Sequence, residues 1–175
     1  MLIIDPYKCS GCRRCETHCS FFHSGKTGHL GARIKVEKIE ILGIDVPVVC
    51  HQCREHYCTG CPQNAISVTD RGSIEVSPTL CDLCGACETL CPIGAIEIYN
   101  GIPYVCDLCG GTPRCIEACE MGAISLEPDI KQEISLADIK KKTKKMSPLQ
   151  KRYAHAEKTG MAMRENWLKD RRESC

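Results

Sequence analysis

The chain has 175 residues, of which 17 are cysteine and only 5% are aromatic, so metal ligation can supply folding energy that burial of large side chains does not. The apoprotein is expected to be unfolded. The formal net charge of +1 hides an asymmetry: residues 1–130 carry ten basic and sixteen acidic side chains, residues 131–175 thirteen and six, and no aromatic interleaving in the basic run favours nucleic acid.

The first residues, Met-Leu-Ile-Ile-Asp-Pro-Tyr-Lys, lack the basic and apolar regions of a signal peptide, and no apolar stretch approaches the ~20 residues of a membrane span. The expectation is a reducing cytoplasm, without direct membrane insertion and without a disulfide scaffold. Cys9, Cys12, Cys15 and Cys19 then form a C-x2-C-x2-C-x3-C run. This spacing lets a short loop present three thiolates to an iron–sulfur cube, while the fourth cysteine ligates the neighbouring cube. Residues 20 to 48 read as an insertion in which Ile34/Val36 and Val46/Val48 predict a hairpin across Gly43. Phe21 and Phe22, the chain's two phenylalanines, are expected to pack against a cluster or the adjacent sheet.

The second set, Cys50, Cys53, Cys58 and Cys61, is one residue shorter than the usual form before its last member, and one residue rotates a helical side chain by about 100°. Cys61 therefore reaches its site through a distorted turn, or the site is vacant, or it holds something else, for which His51 and His56 are nearby. The third set, Cys81, Cys84, Cys87 and Cys91, repeats the first spacing and runs into Pro92. The fourth comprises Cys106, Cys109, Cys115 and Cys119.

A shared phrase follows the last cysteine of three sets: Cys61-Pro-Gln-Asn-Ala-Ile, Cys91-Pro-Ile-Gly-Ala-Ile and Cys119-Glu-Met-Gly-Ala-Ile. Such repetition marks a recurring supersecondary unit. Each unit reads as a ligand loop, a short helix ending near the Gly or Asn, and a strand, with Asp70-Arg71-Gly72 and Asn100-Gly101 turning strands back. In the basic tail, Ser147-Pro148-Leu149-Gln150 predicts a capped helix start, and Ser135 with Asp138 a weaker one. Leu149, Tyr153, Ala156, Gly160, Met163 and Trp167 form one stripe of the long helix that follows. That stripe docks either on the chain's own body or on a partner.

The segments CSGCRRCETHCSFFHSG and VCDLCGGTPRCIEACEMGAI resemble the four-cluster polyferredoxin subunits that serve molybdopterin and tungstopterin oxidoreductases, formate dehydrogenases and hydrogenase complexes. The resemblance covers residues 1–127. It implies nested ligation: Cys9, Cys12 and Cys15 with Cys119; Cys106, Cys109 and Cys115 with Cys19; Cys50, Cys53 and Cys58 with Cys91; Cys81, Cys84 and Cys87 with Cys61. Spacing alone is equally consistent with pairing between neighbouring sets. The basic, Trp-bearing tail is similar to those of ferredoxin subunits that accompany aldehyde ferredoxin oxidoreductase-like tungsten enzymes, including tungsten benzoyl-CoA reductases.

The expected fold is therefore α+β: tandem bacterial two-cluster ferredoxin-like halves with small β-hairpins over 1–127, then a basic linker and helical docking arm over 128–175. Four [4Fe–4S] clusters are expected, or three if the shortened set fails. The chain has no dinucleotide, P-loop or zinc-protease motif and no evident catalytic site of its own. The expected function is a non-catalytic, electron-transfer subunit of an anaerobic oxidoreductase, passing single electrons to or from a large tungsto- or molybdopterin subunit, with further redox subunits as possible neighbours. The alternatives are a stand-alone polyferredoxin and a structural zinc module, for which Cys50, Cys53, Cys58 and Cys61 supply two C-x2-C pairs. Cys175 is left without a role.

Overall fold

Residues 2–127 and 136–173 are described by the computed structural model; the expectations for Ser135 and Cys175 lie outside them. The order is β1 (Leu2–Ile4), α1 (Arg14–Ser24), β2 (Ile34–Ile39), β3 (Ile44–Val49), β4 (Ile66–Val68), β5 (Ile74–Val76), α2 (Ala86–Leu90), β6 (Glu97–Tyr99), β7 (Ile102–Tyr104), α3 (Arg114–Glu117), β8 (Ile124–Leu126), α4 (Ala137–Thr143) and α5 (Pro148–Glu173). The strands form four two-stranded antiparallel ribbons.

Three ribbons are local hairpins whose turns follow the sequence. Gly43 between β2 and β3 sits at φ 68, and Asn100 and Gly101 between β6 and β7 are both left-handed, at φ 49 and 71. Two successive positive-φ residues are what a tight turn between right-twisted strands requires. The fourth ribbon joins distant parts of the chain, with Leu2 opposite Leu126 and Ile4 opposite Ile124.

Two apolar cores result. The outer one gathers Leu2, Ile34, Val36, Val49, Leu108 and Ile124 around Cys15, Cys19, Cys106 and Cys115. The inner one gathers Ile39, Val46, Val48, Ile66, Ile74, Ile93 and Ile96 around Cys58, Cys87 and Cys91, and is completed by Leu136 and Ala156 from the tail. The β2–β3 hairpin contributes to both. Cys50, at the end of β3, packs against both as well.

The predicted cap of α5 is present: the Ser147 hydroxyl accepts from Gln150 N–H at 3.3 Å, and the Gln150 side-chain oxygen Oε1 accepts from Ser147 N–H at 2.9 Å. The stripe, however, divides. Ala156 and Gly160 are buried, Met163 is half-buried, and Leu149, Tyr153 and Trp167 are exposed. Gly160 lets α5 lie directly on Ile44, where a Cβ would overlap the isoleucine side chain. The face that turns inward instead carries Lys151 and Arg152, both buried, because these two charges find partners in the body. From Arg164 to Arg172 every residue is exposed, so the last turns project about 14 Å past the body.

Two further expectations need correction. Phe21 and Phe22 are 60% and 47% exposed. α1 turns them outward, because its inner face is occupied by Cys15, Glu16, Cys19 and Ser20; Phe22 lies instead under the Arg114 guanidinium, 5.4 Å from ring centroid. The unit helices also end earlier than read: α2 stops before Cys91, which is its cap. The repeated phrase position, Asn64, Gly94 or Gly122, is a separate left-handed turn beyond it, at φ 51, 65 and 63.

Candidate metal centre

The left-handed turns explain the repeated phrase. In two units the turn carries the amide four residues after the fourth cysteine back to its sulfur: Ala95 N–H donates to Cys91 Sγ at 3.2 Å and Ala123 N–H to Cys119 Sγ at 3.3 Å. The alanines are buried, and a larger side chain there would compete with the group that the sulfurs face. Cys19 and Cys50 accept similar amide hydrogens, from Arg33 and Gln52.

Two other repeats shape the loops and were not singled out in the sequence. Cys-Asp-Leu-Cys-Gly occurs at 81–85 and at 106–110. In each, the aspartate accepts from the amide of the second cysteine, Asp82 from Cys84 at 3.1 Å and Asp107 from Cys109 at 3.0 Å, and the leucine takes a positive φ of 61 or 58. Cys-Glu-Thr occurs at 15–17 and 87–89. There the glutamate ties the loop to a strand: Glu16 accepts from Val36 N–H, and Glu88 from Ile98 N–H at 2.6 Å. The signal was exact repetition between sets, visible once residues other than cysteine are aligned.

All sixteen cysteines of the four sets are free thiols. A cavity of about 110 Å³ is lined by Cys9, Cys12, Cys15 and Cys119, three from one loop and one from the distant fourth set. A second is lined by Cys50, Cys53, Cys58 and Cys91, with His51 beside them; Cys61 is not among its walls. Cys106, Cys109 and Cys115 have Cys19 as a charge neighbour. Cys87 neighbours Cys81, and Gln63, two residues after Cys61, donates to Asp82 at 3.0 Å. The second set has no α-helix; a 3-10 turn over Tyr57–Thr59 carries Cys58, with Gly60 pressed against Leu90.

Burial dominates the electrostatics. It pushes the thiols of Cys15, Cys58 and Cys106 up to about 12 and that of Cys87 to about 11, with neighbouring anionic groups adding to the rise. Cys50 and Cys115 are raised as well, again chiefly by burial. As bare thiolates these groups could not coexist; a cationic metal group removes the conflict, since it deprotonates a coordinated thiol outright. Soft sulfur donors select iron–sulfur groups or zinc, so the donor set fits the expected cofactor.

His23 adds a polar contact, its Nε2 3.6 Å from Cys109 Sγ and 3.5 Å from Asp107 Oδ1, and Arg33 pairs with the same aspartate. His51 faces His155 of α5, Nε2 to Nε2 at 3.2 Å. Burial, with the His51 and Lys158 charges, lowers His155 to about 4. His51 is therefore engaged by the tail, and His56 is the left-handed residue that starts the 3-10 turn.

Residues 74–97, which include the third cysteine set, match the 4Fe-4S binding domain family. The polyferredoxin-like subunit of aliphatic sulfonate oxidoreductase from Pyrococcus furiosus is 43% identical over 122 residues, covering 67% of this chain and 70% of that protein. The chain belongs to the polyferredoxin-like family. Another relative of this polyferredoxin-like chain, electron transport protein HydN of Escherichia coli K12, is 30% identical over 149 residues, covering 70% and 85% of the two chains. In solved structures, a chain of the active site complex BamBC of benzoyl coenzyme A reductase is 28% identical, covering 84% of this chain and 90% of its own, with a TM-score of 0.43. The polyferredoxin-like chain is an iron–sulfur electron-transfer protein with 4Fe-4S chemistry. Among the described residues, no helix is long and apolar enough to cross a membrane.

Proposed function

We propose that the chain is a four-group electron wire, built as two interlocked two-cluster halves and attached to a catalytic oxidoreductase subunit. The observation that carries this is the convergence of three thiols from one loop with a fourth from another set, as in the cavity of Cys9, Cys12, Cys15 and Cys119. By the same logic Cys19 completes Cys106, Cys109 and Cys115; Cys91 completes Cys50, Cys53 and Cys58; and Cys61 completes Cys81, Cys84 and Cys87. A [4Fe–4S] group bound at each supplies a one-electron couple whose four irons are all closed by thiolates. Closed ligation favours electron passage over chemistry at the metal.

The chain's own residues order the sites. Cys15 is a charge neighbour of Cys115, Cys50 of Cys106, and Cys58 of Cys87, so the neighbourhoods succeed one another from the Cys9 site to the Cys81 site. The two exposed cysteines of the sixteen, Cys12 and Cys84, belong to the two ends. The buried middle keeps water and other redox agents away, while the ends remain open to donors and acceptors. The projecting end of α5, basic and bearing Trp167 and Leu168, is the part available to a partner. A tungsto- or molybdopterin subunit is the proposed partner class, in a reducing cytoplasm; the Pyrococcus relative is itself named as the subunit of an oxidoreductase.

Iron, acid-labile sulfide, zinc and tungsten in the anaerobically purified native complex test the reading. About 16 iron and 16 sulfide per chain, after subtraction of any partner's cluster, are expected. About 12 would remove one site. Zinc at the second set with correspondingly less iron would establish the alternative; the placement of Cys91, rather than Cys61, beside Cys50, Cys53 and Cys58 supports iron. Truncation after Met163 tests attachment without disturbing the buried turns of α5. Loss of co-purification at full iron content is expected, and retention would leave a carrier with no dependence on the arm.

A further inference from the structure

The first turns of α5 are involved in the wire itself. Lys151 is wholly buried, and its ammonium donates to the carbonyls of Glu88 at 2.8 Å and Thr89 at 2.7 Å. These belong to the last turn of α2, where carbonyls lack helical partners and favour a cation. The next residue but one is Cys91. Arg152, beside it, has its charge matched by Glu37 and Glu97. Lys151 has no carboxylate within ion-pair distance among the described residues, and Glu88, whose charge acts on it, already accepts from Ile98 N–H. A buried ammonium with only neutral acceptors is costly. The other group of opposite charge acting on it is Cys91.

We propose that Lys151 is the counter-charge of the iron–sulfur group at Cys50, Cys53, Cys58 and Cys91, and that it raises the potential of that group. This rests on the four-group reading above. Reduction adds one negative charge to the group, and a fixed positive charge nearby favours the more negative state. Pro148 holds the lysine in register, because its carbonyl lies where a Cβ on Gly94 would be; the Cys91 turn and the start of α5 are thereby interlocked. Lys151 touches no reacting atom and acts through the field at the thiolates.

The test is an anaerobic redox titration of the native complex, followed by electron paramagnetic resonance with iron counted in parallel. Lys151→Gln and Lys151→Met remove the charge; Lys151→Arg keeps it. One midpoint is expected to move to lower potential in both neutral variants, the others staying fixed, with Lys151→Arg close to the wild type. Loss of iron from one site in both neutral variants, restored by Lys151→Arg, also supports the assignment. Full iron with unmoved midpoints overturns it alone. Equal displacement by Lys151→Arg and Lys151→Gln overturns it in favour of a packing role. Wild-type iron that is short at this site overturns it together with the four-group reading.

Discussion

The outer and inner cores hold equivalent cysteine sets but are closed by different means. The outer core is sealed by the chain's own first and last ribbon strands, β1 on β8. The inner core is sealed by the tail: Leu136 and Ala156 complete it, Thr143 donates to the Pro92 carbonyl at 2.9 Å, and Arg152 donates to the Gly94 carbonyl at 3.2 Å. Two copies of one ligand plan can thus depend on unrelated parts of a sequence. The acidic body and the basic tail meet through these inner contacts, so the charge asymmetry is an internal complementarity before it is a means of docking.

The largest effect expected erases the comparison altogether. Anaerobic removal of iron by a chelator should unfold both cores, since each is centred on cysteines whose burial has little apolar surface to support it; circular dichroism should lose its helical signal, and a folded apoprotein would contradict this. Next, a chain ending at residue 135 should separate the cores, losing about half its iron, with the EPR signals of the outer sites retained. Equal loss from both cores would show that they stand or fall together. Gly160→Ala should be milder: the Ile44 side chain must turn aside for the added methyl, at a cost of at most about 1–3 kcal/mol offset in part by the better helix propensity of alanine, seen as slightly earlier thermal loss of the inner-site signals. Ser147→Ala removes one helix cap and should cost about 1 kcal/mol, measured in the same way, again with the outer sites unaffected.

Much of this was legible because it is local. The Asn100-Gly101 turn, the Gly43 hairpin and the Ser147–Gln150 cap each depend on a few adjacent residues, and each formed as expected. The helix stripe failed where it assumed that apolar residues face inward: Lys151 and Arg152 are buried because carbonyls and carboxylates from residues 37 to 97 await them, a match that no helical periodicity encodes. Phe21 and Phe22 misled for the complementary reason. Their helix already presents Cys15, Cys19 and Glu16 inward, and the preference of a phenylalanine cannot turn a helix whose ligands are fixed. The roles of Asp82, Asp107, Glu16 and Glu88 sit in tripeptides and pentapeptides repeated between sets, which cysteine spacing alone does not mark.

The pairing of Leu2 with Leu126 also sets an order of assembly. The inner thiols lie within residues 50–91, whereas the outer ones span 9–119, a loop more than twice as long whose closure costs more entropy. Under the proposed nested ligation, the first cysteines to leave the ribosome must wait for the last set before their site is complete, while the second and third sets emerge earlier but must wait for Leu136 and Ala156 of the tail to close their core. Ribosome-bound chains arrested before residue 106 should therefore hold little iron at either end of the wire, and chains arrested once Leu126 has emerged but before the tail should hold iron at the outer sites alone; iron retained at the inner sites without the tail would reverse that sequence.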